Sequence, residues 1–207
     1  GVLRQQMGLL GQPELESSIV HLYNGDAEIF SSWYAFSAPG DSSGKTITGF
    51  VQVHKNSTEW SREVMTNYLS PQTEYTIVSR GKKLKEWYRL LEKVVPEVVE
   101  YDGAGELVVP PVLYYHFSKF SGGALLIISN QEPSVETREL LKRAAAVFEL
   151  AYTRFLDLQK AEAQTREAKI ETSMERVRAR AMAMHQSDEL AEVVALLYKQ
   201  FEELDFG

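Results

Sequence analysis

Histidine is the side chain best suited to acid–base chemistry or metal binding near neutral pH, and it occurs four times in this chain. His21, His54 and His116 fall in stretches with strand character, whereas His185 lies in a charged helical region. No two of them have the spacing of a metal site on one helix or strand, so we predict no metal site. The three strand histidines can meet only through the fold. A shared ligand role for them therefore stands beside the simpler expectation of ordinary half-buried histidines.

Other motifs that would signal catalysis are missing from the sequence. His185 precedes Gln186 and a helix start at Ser187, without the Glu, Arg and Pro of a kinase phosphorylation box. The chain has no phosphate-binding GxxxxGK[ST] loop, no GxGxxG after a strand, no GxSxG and no cysteine. Paired carboxylates such as those of Glu202 and Glu203 are predicted to lie on solvated helix surfaces. We therefore expect no catalytic residues.

Composition narrows the classes of partner and compartment. The chain has 207 residues and a net charge of −7, with no basic stripe, which disfavours nucleic acid and anionic membrane surfaces as partners. The absence of cysteine excludes disulfides, thiolate zinc sites and a thioether-linked chromophore, and it fits a reducing cytoplasm. No apolar run approaches the ~18 residues of a membrane span. We expect a cytoplasmic protein.

Aromatic side chains are the strongest indication of a ligand site. Ten Tyr, nine Phe and three Trp are present, several clustered on single predicted elements. Strand alternation places Tyr114 and His116 on one face of a strand and Tyr115 and Phe117 on the other. One set would build the core and the other would line a pocket for a small flat ligand; the alternative is that all are core. The candidate ligand-binding residues are His21, Trp33, His54, Trp87, Tyr114 and His116. No cofactor is predicted beyond such an unidentified small molecule.

Hydrophobic periodicity and turn residues predict an α+β fold in which two pairs of strands form hairpins. The predicted strands are residues 19–23, 29–36, 46–54, 75–78, 110–117 and 124–129. The predicted helices are residues 1–14, about 58–69, 84–95 and a long one that starts near Ser134.

The long helix has no Gly or Pro between Pro133 and Gly207. A helix of ~50 residues would be ~75 Å long, too long to pack wholly on a domain of this size. It carries a weak apolar stripe with heptad-like spacing, which predicts parallel pairing with a second copy. A solitary helix, bent back or frayed, is the alternative. The predicted dimer-helix residues are Phe148, Tyr152, Phe155, Ile170, Met174, Val177, Ala181 and Met184.

The order of predicted elements over residues 15–158 resembles that of a GAF domain. The tail, FLDLQKAEAQ at 155–164, ERVRARAMAM at 175–184 and SDEL at 187–190, resembles a linker of multidomain sensor proteins in Bacteroidetes-type bacteria. There the linker joins one GAF-like domain to the next, often ahead of a histidine kinase. The resemblance implies an antiparallel sheet with helices on one face and a ligand pocket over the other. The cysteine that binds a bilin and the motif of cyclic-nucleotide-binding GAF domains are both missing.

This resemblance implies four segments. They are an N-terminal helix or flanking segment (1–14), a GAF-like sensory domain (15–158), a helical coiled-coil linker (159–186) and the truncated first helix of a following domain (187–207). The implied function is a non-catalytic cytoplasmic sensory module of a bacterial signal-transduction protein, relaying an input through a dimeric helix to an absent output domain. Its partners would be a second copy and that output domain. The alternatives are a constitutive dimerisation scaffold without ligand and, less favoured, a small enzyme.

Overall fold

The computed structural model describes residues 17–23, 28–37 and 46–204. The predicted helix of residues 1–14 lies outside the described residues. The chain divides into two compact units, residues 1–151 and residues 152–207, and each is described by itself. Within the described ranges no helix is long and apolar enough to cross a bilayer.

In the described part of the first unit, six strands form an antiparallel sheet that packs with helices, so the predicted α+β class is confirmed. Its strands are β1 (Ser17–Tyr23), β2 (Ile29–Ser37), β3 (Thr46–His54), β4 (Glu74–Arg80), β7 (Val112–Phe120) and β8 (Gly123–Ser129), in the order β3-β2-β1-β8-β7-β4. Strands β5 (Glu100–Tyr101) and β6 (Leu107–Val108) form a separate small hairpin. Among the described residues, β1 and β8 are the first and last strands of this sheet, and they pair at its centre.

The helices are α1 (Glu59–Leu69), α2 (Gly81–Val94), α3 (Val135–Met182) and α4 (Leu190–Glu203), with 3₁₀ turns at Pro96–Val98 and Ser187–Glu189. Helix α1 begins at a capping box. The Thr58 hydroxyl accepts a hydrogen bond from the backbone N–H of Ser61, and the Ser61 hydroxyl accepts one from the backbone N–H of Thr58. The helix ends at Leu69, and the carbonyl of its C-cap Ser70 accepts a hydrogen bond from Lys119 Nζ at 2.6 Å. Both ends of α1 are therefore fixed by side chains.

The main core lies between one face of the sheet and helices α1 and α2. Strand alternation points Tyr115 and Phe117 of β7 to this face, as the sequence predicted for that pair. They pack with Trp60 of α1 and with Leu84 and Trp87 of α2 in a cluster of buried side chains. Apolar residues at helical spacing on α1 and α2 supply the other half of this core.

The opposite face of the sheet is covered in part by the first turns of α3. Leu141 and Ala145 are buried there, and the ring of Phe148 lies 4.9 Å from that of Phe120. The Glu149 carboxylate accepts a hydrogen bond from the backbone N–H of Ser121. Helices thus lie on both faces, which differs from the one-sided arrangement implied by the family resemblance. The reason is that the first turns of α3 pack on the sheet face opposite α1 and α2.

The second unit is a helical hairpin of the C-terminal part of α3 and α4. Helix α3 ends at Met182 and a new helix starts at the Ser187–Glu189 turn, as predicted. Ser173 of α3 is buried together with Val193 and Gln200 of α4. Arg180 bonds the carboxylates of Glu189, at 3.3 Å, and of Glu192. The two helices run antiparallel and are held by apolar packing and by ion pairs.

Candidate functional site

A cavity of about 490 Å³ lies between the sheet and helix α2. Strands β1, β2, β3, β7 and β8 line one side, helices α1 and α2 line the other, and residues 95–110 close one end. Among the described residues, eight rings dominate the lining: His21, Phe30, Tyr34, Phe36, Trp60, Trp87, Tyr88 and Tyr115. A concave, mostly aromatic cavity of this size is typical of a small-molecule site.

His21 contributes a neutral ring to the wall of the cavity. Its imidazole stacks on Phe30 with the ring centroids 4.7 Å apart, and Nδ1 lies 3.3 Å from the Tyr23 hydroxyl. Burial lowers the pKa of His21 to about 3, because no carboxylate compensates the lost solvation of the charged form. His21 is therefore uncharged near neutral pH and can only donate or accept hydrogen bonds.

Two stacked tryptophans form the helical side of the cavity. Trp60 and Trp87 have ring centroids 4.0 Å apart and an interplanar angle of 27°. The Trp60 indole N–H and the Ser17 hydroxyl, both from lining residues, are buried without a hydrogen-bond partner among the described residues. Unsatisfied buried polar groups of this kind are uncommon in native proteins and often mark functional positions.

Tyr34 connects the sheet to the segment that closes the cavity. Its hydroxyl donates a hydrogen bond of 2.7 Å to Oε1 of Glu97, in the 3₁₀ turn after α2. Burial, followed by the bond to Glu97, raises the pKa of Tyr34 to about 12, and the same bond lowers the pKa of Glu97. The Tyr34 ring lies over Gly49 of β3, where a Cβ would come 2.9 Å from Cε2 and closer still to the hydroxyl. Gly49 is therefore required for this placement.

The charge of the lining is sparse and negative. Among the described residues that line the cavity, Glu100 is the one charged side chain, since His21 is neutral. Glu100 is exposed, so it lies where the cavity opens to solvent. Neither Lys nor Arg is among these lining residues. The site therefore lacks the cations that phosphate or carboxylate ligands usually require.

Two of the six predicted ligand residues, His21 and Trp87, line the cavity; the other four lie elsewhere. Trp33 points to the opposite face of β2, where it is 44% exposed and its ring lies 4.7 Å from that of Phe50. His54, at the end of β3, pairs with Glu28 at 3.4 Å on the surface.

His116 and Tyr114 share the other face of β7, as the alternation predicted. Nδ1 of His116 lies 2.8 Å from the Thr76 hydroxyl, and burial together with the Arg138 charge lowers the pKa of His116 to about 4. His21, His54 and His116 are therefore not brought together. In the part of the chain that the structure describes, no group of three or more His, Asp or Glu could hold a metal ion.

The predicted dimer-helix residues fall into both units. In the first unit Phe148 packs on Phe120. In the second unit Ile170, Met174, Val177 and Met184 are half-buried, whereas Phe155 is 51% exposed and Ala181 is exposed. Helix α4 of the same chain packs along this part of α3. Pairing with a second copy stays a prediction.

Several lining residues were not singled out from the sequence, chiefly Trp60, Tyr34 and Glu100. Trp60 shares a helical stripe with Val64, which indicates a buried face but not a cavity. Phe30, Tyr34 and Phe36 are separated by even numbers of residues along β2, and this spacing would have placed all three on the same face of the sheet. Glu100 carries no local signal, because its place depends on the small hairpin of β5 and β6.

Compared with models of protein families, with curated proteins and with solved structures, the chain matches none. The likeness to GAF domains therefore rests on the order of the elements and on the residues of the linker.

Proposed function

We propose that this chain is a non-catalytic, cytoplasmic sensory module of a bacterial signalling protein. In this proposal the aromatic cavity binds a small molecule. Helix α3, paired with a second copy of the chain, carries the effect to an output domain of the same polypeptide. The GAF-like character of the domain belongs to this proposal.

The observation that carries the proposal is the cavity itself. Most protein interiors are packed with few voids larger than a water molecule, whereas about 490 Å³ is left open here between the sheet and α2. Ligand pockets typically measure roughly 300–1,000 Å³ and are mostly apolar with a few polar groups. The unpartnered Trp60 N–H and Ser17 hydroxyl are polar groups that such a ligand could satisfy.

The path from the cavity to the helix runs through β8. Leu126 and Ile128 of this strand line the cavity, and Leu125 and Ile127, which alternate with them, are on the face where α3 packs. Helix α3 begins at Val135, shortly after β8 ends at Ser129. A ligand that shifts β8 would therefore act directly on the first turns of the helix, because packed elements move as units.

Two alternatives fit the geometry less well. A dimerisation scaffold without ligand would be expected to fill its interior with side chains, and this cavity is open. A small enzyme would require a cleft that gathers a histidine with a carboxylate. The cavity contains His21 at its wall and Glu100 at its opening, but His21 makes its polar contact with Tyr23 instead.

Native mass spectrometry on the purified chain tests the proposal. We expect a reproducible additional mass of a few hundred daltons on the folded protein. In a Val51→Trp variant, which fills the cavity from β3, this mass should be lost. A Val194→Trp variant, changed at an exposed position of α4, should retain it. A protein free of added mass that also fails to bind any member of a small-molecule library would favour the scaffold.

A further inference from the structure

The chemistry of the cavity opening restricts the charge of its ligand. Glu100 is the one charged side chain among the described lining residues, and it is exposed where the cavity meets solvent. Glu97 lies next to the site through its hydrogen bond with Tyr34. Two carboxylates and no lining Lys or Arg give this opening a negative potential, which repels anions and attracts cations.

The aromatic rings of the cavity also favour a cationic ligand. Tyr34, Phe36, Trp87 and Tyr88 all line it, and Tyr88 and Phe36 are only half-buried. The faces of aromatic rings carry partial negative charge and bind ammonium groups, with Trp and Tyr the strongest. Deeper in, Phe30, Trp60 and Tyr115 offer flat apolar surface and no charge.

We infer that the cavity takes an organic cation with a flat apolar body. The body lies among the rings of the interior, and the ammonium group lies at the opening beside Glu100. This inference rests on the proposed function, because it assumes that the cavity is a ligand site.

A basic cluster on α2 lies outside the lining of the cavity. Lys82, Lys85, Arg89 and Lys93 line a different groove, between α2 and Thr58, and are absent from the lining of the cavity. The imidazole of His21 is neutral and buried, so it offers an anion no charge. An anion entering the cavity would lose its hydration without gaining a cationic partner, which is costly.

Three probes on one naphthalene skeleton test the inference: 2-naphthylmethylammonium, 2-naphthylmethanol and 2-naphthoate. Isothermal titration calorimetry on the full chain at low and high salt measures their affinities. We expect the cation to bind about tenfold tighter than the alcohol, since ion pairing and cation–π attraction add to the same apolar contact. The anion should bind weakest, and added salt should narrow the differences.

In the variant Glu100→Gln the affinity for the cation should be within about threefold of the affinity for the alcohol, because the substitution removes the charge and keeps the shape of the side chain. Glu106→Gln, an exposed glutamate in the turn of the same small hairpin, is the matched control and should leave the order unchanged. Equal binding of all three probes, or preference for the anion, would overturn the inferred ligand class and leave the ligand site intact. Failure of all three to bind, with the Val51→Trp variant behaving like the unaltered chain, would overturn both.

Discussion

Tyr34 and Glu97 are 63 residues apart in the chain, and a hydrogen bond of 2.7 Å joins the hydroxyl of one to the carboxylate of the other. Through this bond, strand β2 holds the 3₁₀ turn that follows α2. The turn borders the cavity, since Val95 and Val98 beside Glu97 both line it. The contact therefore links the position of the sheet to the closure of the candidate site.

Replacing Tyr34 with Phe should release this turn. The change removes a hydrogen bond to a charged acceptor and should lower the free energy of unfolding by about 1 kcal/mol. Amide hydrogen exchange should become faster at Val98 and Val99, whose N–H groups donate hydrogen bonds within the turn. Tyr101→Phe is the control, because the Tyr101 hydroxyl also donates to a glutamate, Glu92, but in an exposed pair. That change should cost clearly less than Tyr34→Phe, because an exposed hydrogen bond competes with water; equal losses would show that the Tyr34 bond has no special role.

Gly49→Ala should displace the Tyr34 ring. The new methyl group would overlap the hydroxyl and ring of Tyr34, so we expect a loss of about 1–3 kcal/mol in chemical denaturation. In a Tyr34→Ala background the same change should cost much less, a coupling that a double-mutant cycle measures. Gly103→Ala, where a Cβ meets open space, should be close to neutral. Additive losses at positions 34 and 49 would contradict the overlap.

The buried His21 should make stability depend on pH. Its folded pKa of about 3 lies below its ordinary value of 6.5, so between these pH values the unfolded chain binds a proton that the folded chain does not. The free energy of unfolding should therefore fall as the pH decreases, by about 1.4 kcal/mol per pH unit well below pH 6.5. His116, with a pKa of about 4, should add to this slope in the same direction.

Urea denaturation between pH 7 and pH 4.5 checks the sign and the source of this effect. His21→Phe keeps a ring against Phe30 and removes the titrating group. The dependence of its unfolding free energy on pH should therefore be smaller by an amount that corresponds to about one proton per molecule. His185→Gln, at an exposed position, is the control and should follow the unaltered chain. An unchanged slope in His21→Phe would mean that the imidazole is not buried as described.

The packing of α4 on α3 can be tested with two adjacent valines. Val193 is buried, whereas Val194 is 57% exposed. Val193→Asp places an unpaired charge in the hairpin and should destabilise it by about 2 kcal/mol or more. Val194→Asp should change stability by about 0.5 kcal/mol or less. Hydrogen exchange of the amides of α4 distinguishes the two variants, and similar protection in both would rule out this pairing of the helices.

The periodicity of the sequence was a good guide where one period dominates. The alternation along β7 correctly separated Tyr114 and His116 from Tyr115 and Phe117. On β2 the same reasoning was ambiguous, because Trp33 and Tyr34 are adjacent aromatic residues and alternation does not say which of two faces is inside. The structure assigns Tyr34 to the cavity and leaves Trp33 on the exposed side.

Contacts between distant segments had no signal in the sequence. The Tyr34–Glu97 bond, the Trp60–Trp87 stack and the position of Glu100 depend on how elements pack after they form. The antiparallel return of α4 was likewise not predicted. Periodicity identified an apolar stripe on α3 but could not identify what covers it, because one stripe fits any helix with a similar face.

This return of α4 creates a competition. The stripe around Ser173, Met174 and Val177 is occupied by a helix tethered through the short connection 183–189, so its effective concentration is on the order of millimolar. For the stripe to pair between chains, the concentration of the second copy must exceed this effective concentration of α4. Alternatively, another binding partner must first remove α4 from the stripe. Helix α4 would then act as a tethered inhibitor of self-association, and whatever captures it would control assembly.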